Sequence, residues 1–232
     1  MIEHNIINVI NLESRPERLG QFHQESLQQK FGYRVWPGIV FKGDPKRGIN
    51  LAHRQIVQFA KDNYMPFIII AEDDILFMSK VREYETKIKQ LKEKDANYAE
   101  RKDYLLSQIE LAKKEPTAWQ YFLDNIPEDC DIFLGMWYAC DLVEGNRIMD
   151  AFSGMTLYLI RERFYDFFLG LPESIHIDRE LGKHANQFKI LFADQIVCEQ
   201  DGSYSSNVKT TVGLAGYRSF LKGRKIFGDV EL

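Results

Sequence analysis

Phe67-Ile68-Ile69-Ile70-Ala71-Glu72-Asp73-Asp74 is the stretch on which the fold turns. Its first five residues are apolar without interruption, three of them β-branched, and too few for a helix. A strand covered on both faces has this composition, because neither side meets water. Pro66 limits the run at its start, and three consecutive acids receive the chain at its end. Upstream, Ile6-Ile7-Asn8-Val9-Ile10 has the same texture and exits into Asn11-Leu12-Glu13-Ser14-Arg15-Pro16-Glu17-Arg18. Ser14 with Glu17 three residues on has the spacing of a capping box, and Pro16 suits a first helical turn. The pattern predicts a helix from about Arg15 to Phe31 closed by Gly32, a strand over Tyr33–Val40 and a helix from about Asn50 to Asn63. Strand–helix–strand–helix–strand is the order of an open, mostly parallel α/β sheet, in which ligands gather at the carboxyl ends of strands. Both charge-dense stretches, Asn11–Arg18 and Glu72–Asp74, sit at such ends.

Downstream, the 36 residues from Lys80 to Glu115 hold ten basic and eight acidic residues and neither Gly nor Pro. Val81, Tyr84, Ile88, Leu91, Tyr98, Leu105, Ile109 and Ala112 follow a seven-residue apolar repeat broken at Asp95 and Lys102, so a helical arm or hairpin is expected. It is either a helix pair folded back on the body or a coiled-coil arm for a homodimer. Beyond Pro116 the α/β pattern resumes, with strands expected over Asp131–Tyr138 and Met155–Ile160, a helix over Arg161–Leu169 and an apolar run over Ile190–Gln200.

A 45% hydrophobic, 13% aromatic chain of 232 residues carries enough apolar matter for one sizeable core. The net charge of −4 gives no global attraction to nucleic acid or anionic lipid. A local basic cluster, Arg218, Lys222, Arg224 and Lys225, is either a solvated face or a patch for a polyanion. Cys130, Cys140 and Cys198 form no CxxC pair and lie in or beside apolar runs, which suits buried free thiols in a reducing, cytoplasmic setting. The start of the chain lacks a signal-peptide pattern and no apolar run approaches the ~20 residues of a membrane span, while peripheral membrane contact stays open.

In an extended segment Glu72 and Asp74 share a face and Asp73 points away. Two carboxylates on one side of a crevice suit Mn²⁺ or Mg²⁺ and leave room for phosphate oxygens; the alternative is a helix-capping acid with solvated neighbours. Arg15 and Arg18 lie three apart at a helix start, where both could reach a diphosphate or simply face water. His53 falls one turn into a helix, as a packing residue or a support for the site. In His176-Ile177-Asp178, His176 could complete a metal site and Asp178 could act as general base, bind an acceptor hydroxyl or cap a helix. Asp194 and Asp201 are further candidates. The sequence has no HExxH, GxSxG, Walker A or GxGxxG motif, which removes the common hydrolase, NTPase and dehydrogenase readings.

Taken together, these blocks resemble glycosyltransferase family 25, which contains lipo-oligosaccharide and procollagen galactosyltransferases. Val9–Arg18 is similar to the family's opening "INL…R…R", and Gly48-Ile49-Asn50-Leu51-Ala52-His53 to its "G-C-x-x-S-H". Ile68–Asp74 and Asp131–Gly135 come next, then Gly154, Tyr158, Ile177-Asp178, Gln200 and Ser205-Ser206-Asn207-Val208. Ile49, Ala52 and Asn207 depart from the usual Cys, Ser and Asp, and the Lys80–Glu115 arm is longer than its counterpart. The resemblance implies a single GT-A-type domain over residues 1–232, an open mixed, mostly parallel sheet flanked by helices, with the arm inserted at about 80–115. It also implies a UDP-sugar donor, a hydroxyl acceptor such as a surface glycan or lipo-oligosaccharide, and inversion at the anomeric carbon. Glu72, Asp74 and His176 are then expected at the metal, Asn11, Leu12, Arg15, Arg18, His53, Glu72 and Asp73 along the nucleotide sugar, and Asp178 as base. Two rival expectations are transfer to hydroxylated DNA through the Arg218–Lys225 cluster and an inactive GT-A-like scaffold acting through the arm.

Overall fold

The computed structural model describes residues 6–94 and 97–201, and the backbone of 204–205, 210–211 and 225–226. Most of the Arg218–Lys225 cluster and the Ser206–Val208 block therefore lie outside the described residues. In chain order the elements begin β1 (Ile6–Asn11), α1 (Pro16–Gln29), β2 (Gly32–Pro37), α2 (Pro45–Asp62), β3 (Phe67–Glu72) and β4 (Ile75–Phe77). The arm supplies α3 (Lys80–Gln90) and α4 (Tyr98–Ala112), and the chain then returns to the body with α5 (Ala118–Asp124), β5 (Ile132–Leu134), β6 (Ala139–Cys140), β7 (Val143–Glu144), β8 (Arg147–Ile148) and β9 (Phe152–Ser153). Next come β10 (Leu157–Arg161), a 3₁₀ turn (Glu162–Phe164), α6 (Tyr165–Gly170), α7 (Ile177–Gly182), β11 (Ile190–Phe192) and β12 (Cys198–Gln200). The strands β13 (Tyr204–Ser205), β14 (Thr210–Thr211) and β15 (Lys225–Ile226) close the described backbone.

Among the described residues the main sheet has eight strands in the order β2-β1-β3-β10-β5-β11-β8-β7. β1 pairs in parallel with β2 and β3, and β5 with β11, whereas β10 runs antiparallel between β3 and β5. The expected mixed sheet with most strands pointing one way is thus found. From β1 the chain moves to β2 on one side and then, through α2, to β3 on the other. With right-handed crossovers this reversal sets α1 and α2 on opposite faces and opens a crevice between the ends of β1 and β3. Register aligns Ile10 with Glu72, so the two exits lie side by side.

Both faces of the sheet are covered by apolar side chains. On one, Phe22, Phe31, Phe77 and Trp119 make edge and tilted contacts, and Trp119 stacks on Phe122 and Phe122 on Phe133. Offset and edge-on rings bury large apolar area without facing their negative clouds to one another. On the other, α2 buries Ala52, His53, Ile56, Val57 and Ala60, and Trp36 meets Phe59. Cys130, Cys140 and Cys198 are all buried free thiols, in line with the sequence pattern.

Several boundaries differ from expectation for identifiable reasons. Helix α1 starts at Pro16 with Arg15 as N-cap, and the Ser14–Glu17 box does not form, because Glu17 accepts from Arg15 Nε at 2.6 Å instead. It ends at Lys30 in the left-handed region rather than at Gly32. Helix α2 starts at Pro45 because Asp44 accepts the Arg47 N–H at 3.2 Å. The run Asp131–Tyr138 yields only β5: Gly135 passes tight against Leu157, and the chain then crosses to pair β6 with β9. Ile190–Gln200 splits, β11 joining the main sheet while β12 pairs with β4. The arm is a hairpin of α3 on α4 whose root is tied by Lys80 Nζ to Glu115 Oε2 at 2.7 Å. Its helices bury Ile109 alone among the described residues, and Arg82 ties the root of α3 to Glu25 and Gln28 of α1. Among the described residues no helix is long and apolar enough to cross a membrane.

Candidate active site at the ends of β1 and β3

Asn11, the last residue of β1, is fixed by two bonds from one amide. Its Nδ2 donates to the Arg15 carbonyl at 3.0 Å and to Asp73 Oδ2 at 2.6 Å. Arg18, on the first turn of α1, reaches back to the acids: its Nη1 donates to Asp73 Oδ1 at 3.3 Å and to Asp74 Oδ2 at 3.0 Å. Asp73, which strand alternation points away from the face of Glu72 and Asp74, is buried and ties the two strand exits together. Arg18 is likewise held on the triplet, while Arg15 stands at the N-cap position of α1 and pairs with the exposed Glu17. Leu12 lies against Gly38, where an added Cβ would meet the leucine Cδ2 at 2.7 Å, so this pair closes the β1 side.

Past the triplet, β4 pairs with β12 so that Ile75 faces Gln200. The pairing brings Gln200 Nε2 to Asp74 Oδ2 at 2.9 Å, with Glu72 Oε2 at 3.5 Å, and the Asp201 N–H donates to the Asp74 carbonyl at 2.6 Å. The Asp74 Oδ1 atom is buried and has no hydrogen-bond partner among the described residues. Burial first, and then the neighbouring Glu72 charge, push the Asp74 carboxyl up to about 7 despite Arg18. Burial, with Asp73 and Asp178 nearby, pushes Glu72 up to about 7 as well. Burial also raises Asp73, against the lowering influence of Asn11 and Arg18. One guanidinium faces three crowded carboxylates, and the cluster is short of positive charge.

Glu72 also borders a cavity of about 110 Å³ shared with Lys46, Ile49, His53, Met155, Ile175, His176, Ile177 and Asp178. His53 is buried and its Nδ1 lies 2.8 Å from Tyr158 Oη. Burial drops its pKa to about 4, so the imidazole is neutral, and its Nε2, 3.9 Å from Glu72 Oε1, makes no ion pair there. Asp178 sits in the first turn of α7, with His176 as N-cap. Its Oδ2 accepts the Gly154 N–H at 2.9 Å and its Oδ1 accepts the Arg179 N–H at 2.8 Å. These two bonds fix the carboxylate plane and leave lone pairs facing outward.

The fold thus brings Asn11, Arg18, Glu72, Asp73 and Asp74 into one cluster, and His53, Glu72, His176 and Asp178 around one cavity. Glu72 belongs to both. Among the described residues no three His, Cys, Asp or Glu side chains are grouped to hold a metal ion, so Glu72, Asp74 and His176 do not converge as a ligand trio. Asp194 is exposed, and Asp201 reaches the cluster through its backbone N–H. Residues that sequence reasoning gave no role are Tyr138, Gly154, Tyr158 and Gln200. Three of these lie within the family-like blocks, which was their only signal; Tyr138 had none.

No known family and no curated protein matches the chain by sequence. Among solved structures, a glycosyltransferase involved in glycosylation of the major capsid of PBCV-1 is similar at 6% identity and a TM-score of 0.37, covering 70% of this chain. This chain spans only 62% of that protein's length. A197 from STIV is similar at 8% identity and a TM-score of 0.41, with 84% of each chain covered. A Drosophila β-1,4-galactosyltransferase 7 mutant, in complex with manganese, UDP-Gal and xylobiose, is similar at 14% identity and a TM-score of 0.39, covering 96% of this chain and 76% of that one. Each likeness is one of general architecture.

Proposed function

We propose that this chain is a GT-A-type glycosyltransferase that moves a hexose from a UDP-sugar to a hydroxyl acceptor on a surface glycan or lipo-oligosaccharide, with inversion. The observation that carries the reading is the buried Asp74 Oδ1, without a hydrogen-bond partner among the described residues, within an undercompensated acidic cluster at the switch point of an α/β sheet. Asp74 and Glu72 would hold Mn²⁺ or Mg²⁺, hard cations suited to carboxylate oxygens. When bound, the ion supplies positive charge for the departing diphosphate.

The chain's own residues do the remaining work. Asn11 and Arg18 hold Asp73 and Asp74 at the β1 exit, and Leu12 and Arg15 border the side on which the nucleotide lies. Neutral His53, fixed by Tyr158, walls the cavity without adding charge. An acceptor oxygen attacks the anomeric carbon in line with the departing diphosphate, and its proton passes to Asp178, whose plane is set by the Gly154 and Arg179 amides. Titration calorimetry of UDP, with and without Mn²⁺, on the wild type and Asp74→Ala tests the cation site. Equal affinity in all four conditions overturns it. Mass spectrometry after incubation with a panel of UDP-sugars identifies the donor.

A further inference from the structure

Once Glu72 and Asp74 are ionised, Gln200 and Tyr138 form a relay with one consistent direction. Ionised carboxylates accept hydrogen bonds and never donate them. The Gln200 amide must therefore turn its Nε2 toward Asp74 Oδ2, at 2.9 Å, and Glu72 Oε2, at 3.5 Å. Its Oε1 then faces away, where Tyr138 Oη donates to it at 2.6 Å. The carboxylates select which end of the amide faces them, and the hydroxyl adds a second bond that holds the far end of the amide in place. The donor is itself well anchored. The Tyr138 N–H donates to the Ser153 carbonyl at 2.6 Å, and the ring lies on Gly154, where an added Cβ would come within 2.6 Å of its Cδ2. Gly154 has φ +97°, a conformation that favours glycine, and its N–H is the one that holds Asp178.

Resting on the cation-site reading above, we propose that Tyr138 is a positioning residue: its hydroxyl locks the Gln200 amide so that one NH₂ group holds the Glu72 and Asp74 carboxylates at the separation a divalent cation needs. Groups that orient metal ligands from one bond further out affect affinity about 10- to 100-fold. The test is Mn²⁺ affinity of the whole chain without nucleotide, by titration calorimetry, for the wild type, Tyr138→Phe, Gln200→Ala and the double variant. Phenylalanine keeps the ring on Gly154, so loss of folding is not expected. Tyr138→Phe should weaken Mn²⁺ binding roughly tenfold and Gln200→Ala at least as much. The double variant should match Gln200→Ala, because the hydroxyl acts only through the amide. Unchanged affinity in Tyr138→Phe, or losses that multiply in the double variant, would overturn the relay. If the wild type binds no Mn²⁺, the cation site itself fails. The relay is then decided by urea midpoints of the same four proteins in EDTA at pH 8: non-additive losses support it and additive losses sink it.

Discussion

Replacing Asp74 by Asn separates the two roles of the acidic cluster, because one change should stabilise the metal-free protein and abolish its response to metal. The side chain is buried, its Oδ2 accepts from Arg18 and Gln200, and its Oδ1 has no partner among the described residues. Its carboxyl is pushed from the ordinary 3.8 to about 7. The native state then binds the extra proton between those values and the unfolded chain does not. Stability therefore falls as pH rises through that window, and the full penalty is present above 7. At pH 8 the shift corresponds to about 4 kcal/mol, using ~1.4 kcal/mol per tenfold change. An Asn carbonyl keeps both donated bonds, but its NH₂ falls where Oδ1 lacks a partner, which costs about 1–3 kcal/mol. The net gain at pH 8 is about 1–3 kcal/mol, or a rise in Tm of roughly 2–12 °C for a chain of this size. At pH 5 the wild-type carboxyl is already protonated and the gain disappears. Mn²⁺ at a hundred times its Kd adds ~2.7 kcal/mol to the wild type at pH 8 and nothing to Asp74→Asn. Thermal unfolding at pH 5 and 8, in EDTA and in Mn²⁺, measures all of these. A variant destabilised equally at both pH values, with the same Mn²⁺ shift as the wild type, would refute the charge-deficit account of the site.

Other residues yield outcomes of different kinds. His53 is held neutral with its pKa near 4 against the ordinary 6.5, so it contributes stability above pH 6.5 that is lost as pH falls toward 4, about 3 kcal/mol in all. Denaturant unfolding from pH 7 to 4 should show that loss reduced in His53→Gln. Asp178→Asn should lower transfer by about a hundredfold or more with little change in UDP affinity, since a proton acceptor acts in the reaction step. Retained turnover would move the base elsewhere, with Glu72, on the same cavity, the next residue to replace. Gly154→Ala combines φ +97° with a 2.6 Å approach to Tyr138, so soluble protein should be less stable and nearly inactive; full activity would contradict the packing described. Glu25 is buried and accepts from the Phe77 N–H at 2.9 Å and from Arg82 at the root of the arm. Glu25→Ala should cost about 2 kcal/mol in chemical denaturation, and no loss would show that water replaces both bonds.

What the linear sequence determines here is local. The nearly all-apolar run Ile6–Ile10 and the fully apolar Phe67–Ala71 read as strands buried on both sides, and their charged exits mark the ligand end of such a sheet. The heptad of apolar residues from Val81 to Ala112 likewise calls for a helical arm or hairpin, and the structure breaks it between Gln90 and Tyr98. Helix starts were less legible, because Ser14 and Asp44 are equally good caps in isolation; Arg15 takes Glu17 away from the first, while nothing competes with Asp44 for the Arg47 amide. Tertiary structure alone decided the partners of each acid. Strand alternation points Asp73 away from the face of Glu72 and Asp74, yet Asn11 and Arg18, more than fifty residues away in the chain, bind it. Gln200 reaches Asp74 through the pairing of β12 with β4, two strands of three residues each, and Tyr138 reaches Gln200 across a further chain crossing. Such contacts leave no periodicity in the sequence, since they depend on where distant segments meet, and the charge balance of the site depends on them.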